Sequence, residues 1–187
     1  MSQSSTTGRA SEPTFAQLKE LFAQIESGRI TKERLQAFLR GQDPAFPSYT
    51  VTVDYDQSVD QSVRSGRYDW ANDDITSRNF PSGNVGRTQI DIFLLSFEAP
   101  ISSEDAIREM EKQGLHPATL KELLALGVVY PDLQRENPIV ALGSTCHHPG
   151  GYVFVPVLHR RDSYRHLDLF WFGGAWSSRW RFAAVRK

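Results

Sequence analysis

Four strand-forming stretches close this chain, at residues 138–144, 151–158, 166–172 and 179–186, and they are joined by short, turn-rich links. They are read as antiparallel strands, since a parallel pair of consecutive strands needs a crossover of about a dozen residues or more. Ahead of them, Val51, Val53 and Tyr55 alternate with polar residues, and Ile90, Ile92 and Leu94 repeat the pattern. Two helices are predicted between these strands and the closing four. The first starts at Ser102, with Asp105 completing a weak capping box, turns Ile107 and Met110 inward and ends at Gly114. The second starts at Pro117, buries Leu120, Leu123 and Leu124 and stops at Gly127. Strand, two helices, then several antiparallel strands is an α+β order, not a doubly wound one.

The front of the chain reads differently. Residues 1–12 hold almost nothing apolar and are expected to form a disordered tail. Residues 13–45 are expected to form a helical hairpin. Its first helix carries Phe15, Leu18, Phe22 and Ile25 and stops at Gly28; its second runs from the Thr31 cap through Leu35, Phe38 and Leu39 to Gly41. The main domain then spans 46–187. Within it, Ser58 to Val85 is polar and turn-rich, with 67–84 read as a long irregular excursion of the kind that forms binding loops.

Composition narrows the class. The chain has 187 residues, 40% of them hydrophobic, enough for one sizeable core. Cys146 is its single cysteine, so no intrachain disulfide staples the fold. No apolar run approaches the roughly 20 residues needed to span a bilayer, and the N-terminus lacks an apolar signal core. The reading is a chain in the cytoplasm, or exported by an unrecognised route. Of the 21 Lys/Arg and 22 Asp/Glu, seven and two fall from Gly143 onward, leaving fourteen and twenty upstream. The C-terminal segment is basic, but too weakly for a nucleic-acid partner.

That segment also has a restricted alphabet. From Gly143 to Arg186 there is no Lys, Glu, Gln, Met, Asn or Ile, while three Trp, six Arg and four His crowd in. Rigid aromatics, arginine forks and small adaptable polar residues suit a binding surface. Within 166–171, period two puts Leu167, Leu169 and Trp171 on one face, read as core, and His166, Asp168 and Phe170 on the other. Trp176, Phe172 and Phe182 read as core as well.

The run HLDLFWFGGAW, the closing RWRFAAVRK, and the preceding PIVALGS and GYVFVPVL resemble the variable proteins of diversity-generating retroelements. ISSEDAIREMEKQGLHPATLKELLALG is similar to the two-helix region of the same family. The likeness is good over residues 101–187, loose over 50–100 and weakest at the N-terminal helices. It implies a C-type lectin fold with two helices packed on antiparallel strands and a variable region at about 143–187. In that family an error-prone reverse transcriptase mutates adenines, chiefly in AAY codons, which can never yield Lys, Glu, Gln, Met or Trp. All of these but Trp are missing from 143–186.

The resemblance implies that His166, Asp168, Phe170, Gly173, Gly174, Ala175, Ser177, Ser178 and Arg179 are diversified, ligand-facing positions. Arg160, Asp162, Ser163 and Tyr164 join them from the preceding loop, with Cys146, His147 and His148 as weaker additions. Trp176, Arg181, Phe182 and Val185 are implied framework, and Trp180 is assigned to neither set. The expected partner is a macromolecule, a protein, with no nucleic acid, no cofactor and no metal.

Two other functions stay open on sequence. One is a conventional ligand- or carbohydrate-binding domain of the same fold, although the EPN, QPD and WND calcium motifs of true lectins are missing. The other is a thiol enzyme using Cys146 with His147 or His148. Adjacent strand residues point to opposite faces and no CxxC pair is present, which speaks against a metal at Cys146, His147 and His148. Gly150-Gly151 and Gly173-Gly174 have no phosphate-loop spacing and read as hairpin turns.

Overall fold

The computed structural model describes residues 14–26 and 47–186, and the chain divides into two units with the boundary between Ala45 and Phe46. In the first unit, helix α1 is Phe15–Glu26, with Phe15 and Phe22 exposed and Ile25 half-buried. The tail at 1–12, the Gly28 stop and the second helix from Thr31 to Gly41 lie outside the described residues.

The second unit is built on one large mixed sheet. Strand β1 (Ser48–Asp54) pairs antiparallel with β3 (Arg87–Leu95), and β3 with β11 (Arg181–Arg186). On its other side β11 runs parallel to β6 (Ile139–Val140), which pairs antiparallel with β8 (Val153–Arg161). Strand β8 forms a hairpin with β9 (Tyr164–Trp171), and β2 (Trp70–Ala71) adds a parallel edge to β9. Strand β5 (Leu115–Pro117) also pairs with β11, and β7 (Cys146–His147) with β8. A separate small ladder joins β4 (Ile101–Ser102) to β10 (Ala175–Trp176). The protein is therefore of mixed α+β class with a large, mostly antiparallel sheet.

Both faces of this sheet are covered, which explains its continuous apolar runs. Ile92 and Leu94 of β3, Leu158 of β8 and Leu167 of β9 pack with Leu120, Leu123 and Leu124 in one cluster. Phe93, Leu95, Val155, Val157 and Phe182, the alternate residues of the same strands, pack with Ala106, Met110 and Trp176 in another. Helix α3 (Ser103–Lys112) starts at the Ser102 cap, whose hydroxyl accepts from Asp105 N at 3.1 Å, as its spacing predicts. Met110 is buried and Ile107 half-buried on its sheet-facing side.

Three sequence expectations are corrected. Between Ser58 and Val85 a helix, α2 (Val59–Gly66), forms behind a full capping box in which Ser58 and Gln61 bond each other's backbone N–H at 3.1 and 3.0 Å. Helix α4 (Leu120–Val129) starts three residues beyond Pro117, because Pro117 is held in β5 by Ala184. Glu122 Oε2 accepts from Thr119 N and Ser144 Oγ from Leu120 N, satisfying two orphan donors of its first turn. Gly127 is not a helix stop. It lies inside α4, buried, and a Cβ there would come within 2.3 Å of the Tyr68 hydroxyl.

That contact belongs to a buried polar node between the helices and the sheet. The Arg165 guanidinium, 7% exposed, donates to Gly66 O at 2.8 Å and to Gly127 O at 2.7 Å. Its Nε donates to Gln134 Oε1 at 3.2 Å, and the Tyr68 ring lies 4.9 Å away. The acceptors are carbonyls near the C-terminal, electronegative ends of α2 and α4, which suit a cation. Gln134, in the short helix α5 (Leu133–Glu136), completes the node: its amide donates to His159 O and His166 O and so ties α5 to the β8–β9 hairpin.

Burial pushes the Tyr68 phenol up, and its hydroxyl makes no hydrogen bond among the described residues. An unsatisfied buried hydroxyl costs about 1–3 kcal/mol. Tyr68→Phe is therefore expected to raise stability by about 1 kcal/mol, read as an increase in the urea midpoint at unchanged slope; a decrease would show that the hydroxyl has a partner. Among the described residues no helix is long and apolar enough to cross a membrane.

Candidate ligand-binding site

The face of β8–β9 opposite Arg165 and Leu167 carries a row of ring contacts that begins at the sheet edge. Trp70 tilts over His166 at 5.3 Å between centroids, His166 meets His159 at 5.2 Å, and His159 meets the edge of Phe170 at 5.5 Å. The row continues from Phe170 to Trp180 at 5.3 Å, then to Trp176 at 4.6 Å. The register explains its start: His159 is the direct cross-strand partner of His166, and His166 is that of Trp70. Such pairs share a face and touch. Beside the row opens a cleft of about 260 Å³, with His159, Phe170 and Trp180 on one side and residues 134–138 as the opposite wall. Arg160 and Arg179 stand at its rim.

The far end of the row is fixed by a short relay. The indole Nε1 of buried Trp176 donates to Ser103 Oγ at 2.8 Å, and that hydroxyl donates to Phe172 O at 2.6 Å. Loop 172–176 is thereby fastened to the first turn of α3, and Trp180, leaning on Trp176, is held over the cleft.

Asp168 sits behind the row. Its Oδ1 accepts from Asn72 Nδ2 at 3.0 Å and from Leu169 N at 2.7 Å, while its Oδ2 is 3.7 Å from His159 Nε2, an ion-pair separation too long for a hydrogen bond. Burial opposes its ionisation, but the neighbouring His159 imidazole, the Asn72 amide and the Leu169 N–H together hold the carboxyl below its usual range. A depressed folded value means that Asp168's contribution to stability is complete above the ordinary carboxylate value of about 4 and fades as the pH falls through the folded one. The difference in melting temperature between wild type and Asp168→Asn is expected to be full at about pH 6 and to close below about pH 4. An unchanged difference down to about pH 3 would contradict this.

Of the residues singled out by sequence, Arg160, Phe170 and Arg179 meet in the cleft. His166 and Asp168 adjoin it through His159 and are half-buried. Asp162, Ser163 and Tyr164 form the exposed tip of the β8–β9 hairpin, with Asp162 in the left-handed region at φ 54°. Arg135 Nη1 donates to Ser163 O at 2.5 Å, tying this tip to the cleft wall. Gly173 and Gly174 make the turn after β9, and Ala175 pairs with Ser102, so these three do not line the cleft. A side chain at 174 would meet nothing closer than 3.5 Å, whereas one at 173 would press on the Trp171 ring at 2.6 Å. Ser177, Ser178 and Arg179 are exposed, and Arg181 donates to the carbonyls of 178, 179 and 180, which shapes that loop.

Trp171 does not join the core as its alternation with Leu167 and Leu169 predicts. It is 52% exposed, because it ends β9 beyond the covering layer and its ring folds over Gly173. Phe170 is half-buried rather than freely exposed, and Phe172 is likewise half-buried against the second cluster. Cys146 is buried, with its thiol pushed up by burial and by Asp74, while His147 is exposed and His148 Nε2 lies 3.2 Å from Asp74 Oδ2. Among the described residues no three His, Cys, Asp or Glu side chains gather as a metal site would need.

Trp70 and Asn72 fall in the 67–84 excursion read as a binding loop but were not named individually, and His159 and the wall at 134–138 were not anticipated. His159 could have been read from period two along β8. The wall could not, because it comes from an element far away in sequence. The fold and this face define an α+β protein with an arginine-rimmed aromatic cleft. No family model, curated protein or solved structure matches the chain.

Proposed function

We propose that this chain is a non-enzymatic, hypervariable binding protein that presents an interchangeable surface on a C-type lectin-like scaffold, as the retroelement variable proteins do. The observation that carries this reading is the division within β9. Arg165 and Leu167 are sealed against the helices, while His166, Asp168 and Phe170 face the cleft side and the loop 177–179 is exposed. Exposed positions such as 177–179 tolerate exchange with changes usually within about 0.5 kcal/mol, whereas buried ones do not; the half-buried His166, Asp168 and Phe170 stand between the two, and exchange at Asp168 also gives up its bonds to Asn72 and Leu169 N. The residue alphabet from Gly143 to Arg186 supports the same reading, with Trp171, Trp176 and Trp180 either template-fixed or arising from other codons. Two helices set against a sheet whose centre holds the C-terminal strand support the lectin-like scaffold.

Against the thiol-enzyme reading stands the buried Cys146, whose raised thiol is the reverse of an activated nucleophile. The decisive experiment is sequencing of the DNA flanking the gene. A reverse-transcriptase gene and a near-copy of the 3′ end differing at adenines are expected; a locus with neither overturns the diversification.

A further inference from the structure

We propose that the cleft between residues 134–138 and the β8–β9 face receives an acidic protein segment, whose carboxylates meet Arg160 and Arg179 while an apolar side chain between them rests on Phe170 and Trp180. This rests on the proposed function only in taking this face as the one that meets the ligand.

The charge pattern points to the class of partner. Three arginines nearby are already engaged, Arg135 by Asp132 and Ser163 O, Arg165 by buried carbonyls, and Arg181 by the loop carbonyls, while Arg161 does not line the cleft. The guanidinium groups of Arg160 and Arg179 make no hydrogen bond or ion pair among the described residues, and both stand at the rim of the same cleft. Among the described residues Glu136 is the one carboxylate lining it, leaving a positive excess. A guanidinium fork matches a carboxylate in two parallel hydrogen bonds. The same cleft is lined by the rings of Phe170 and Trp180, already fixed by ring contacts with their neighbours, so seating an apolar side chain on them orders little that was free. Arginine beside buried aromatic surface is the composition in which interface energy concentrates.

Size and overall charge argue for a peptide segment over other anions. A volume of about 260 Å³ takes a side chain or two, not a polymer groove. The chain's net charge of −1 gives no long-range attraction for nucleic acid.

The test is a random heptapeptide display library panned in parallel on the full chain and on the Arg160→Glu/Arg179→Glu double variant. Both substitutions are on the surface, and circular dichroism checks that the variant is folded. The wild-type pool is expected to concentrate Asp and Glu around an aromatic or aliphatic residue. Individual winners are expected to bind about tenfold or more weakly to the variant, and to wild type at raised salt. A neutral or basic pool, acidic winners without an apolar neighbour, identical pools on the two proteins, or no enrichment overturns the inference. These outcomes are separable from the flanking DNA. Acidic winners at a locus without a template repeat would leave this docking chemistry standing and remove diversification, and a repeat with a neutral pool would do the reverse.

Discussion

Arg165→Met is expected to destabilise the protein by about 3 kcal/mol or more, since each buried acceptor left without its donor costs about 1–3 kcal/mol. Methionine restores much of the volume but donates nothing, so Gly66 O, Gly127 O and Gln134 Oε1 lose their donor inside the protein. Each of those acceptors then carries a desolvation cost that water cannot relieve. Arg165→Lys is expected to recover little, because one compact ammonium cannot reach three acceptors on two helices and a side chain. Since domains of this kind are stable by only about 5–15 kcal/mol, either loss is plain in a urea titration. A shift under about 1 kcal/mol for the methionine variant would show that the node contributes little. The comparison with neighbouring Tyr164, 58% exposed, is the sharper readout. Tyr164→Ala is expected to be near neutral, so one step along β9 separates a tolerant position from an intolerant one.

Trp176→Ala is expected to cost about 3–5 kcal/mol, the range for truncating a buried large aromatic. Trp176 is 3% exposed, touches Trp180 and Phe182, and donates its indole proton to Ser103. The loss therefore combines a cavity with one hydrogen bond at Ser103 Oγ, which keeps its bond to Phe172 O. Trp176→Phe keeps part of the volume and forfeits the hydrogen bond, and about 1–3 kcal/mol is expected for it. Because Trp180 leans on Trp176, ligand affinity should fall along with stability in the alanine variant, in contrast to Ser177 or Ser178 variants, which should change neither the melting temperature nor the packing of Trp180. Differential scanning calorimetry of the four variants distinguishes these outcomes, and an alanine variant that melts like wild type would remove Trp176 from the framework.

How much of this was legible in the chain depended on whether the signal was local. The Ser102 cap, the inward Met110 and the Gly114 terminus lie within one helix and were read correctly. So was the alternation that seals Leu167 and leaves His166 and Asp168 on the opposite face. Helix α2 was passed over because its sequence, VDQSVRSG, is mostly polar, although Ser58 and Gln61 carried the capping signal. Gly127 was misread because a glycine that lets Tyr68 and Arg165 approach looks, in one dimension, like a glycine that ends a helix. Trp171 was misplaced because period two reports which face a residue is on, not where the layer covering that face stops. The candidate cleft was half visible. Arg160, Phe170 and Arg179 were named through the family resemblance, but the Gln134 amide that ties its opposite wall to the hairpin is a tertiary contact with no local pattern.

The place of β11 has a kinetic consequence. Leu95 pairs with Phe182 on one side of it and Val140 with Phe182 on the other, so the middle of the sheet stays vacant until a distant part of the chain arrives. During that interval β3 and β6 offer bare edges to any neighbour, the condition under which polypeptides self-associate. Search over such a span makes refolding slower than that of a helical protein rich in local contacts. Substitutions in β11 therefore act on how promptly that strand docks as well as on the stability of the finished sheet.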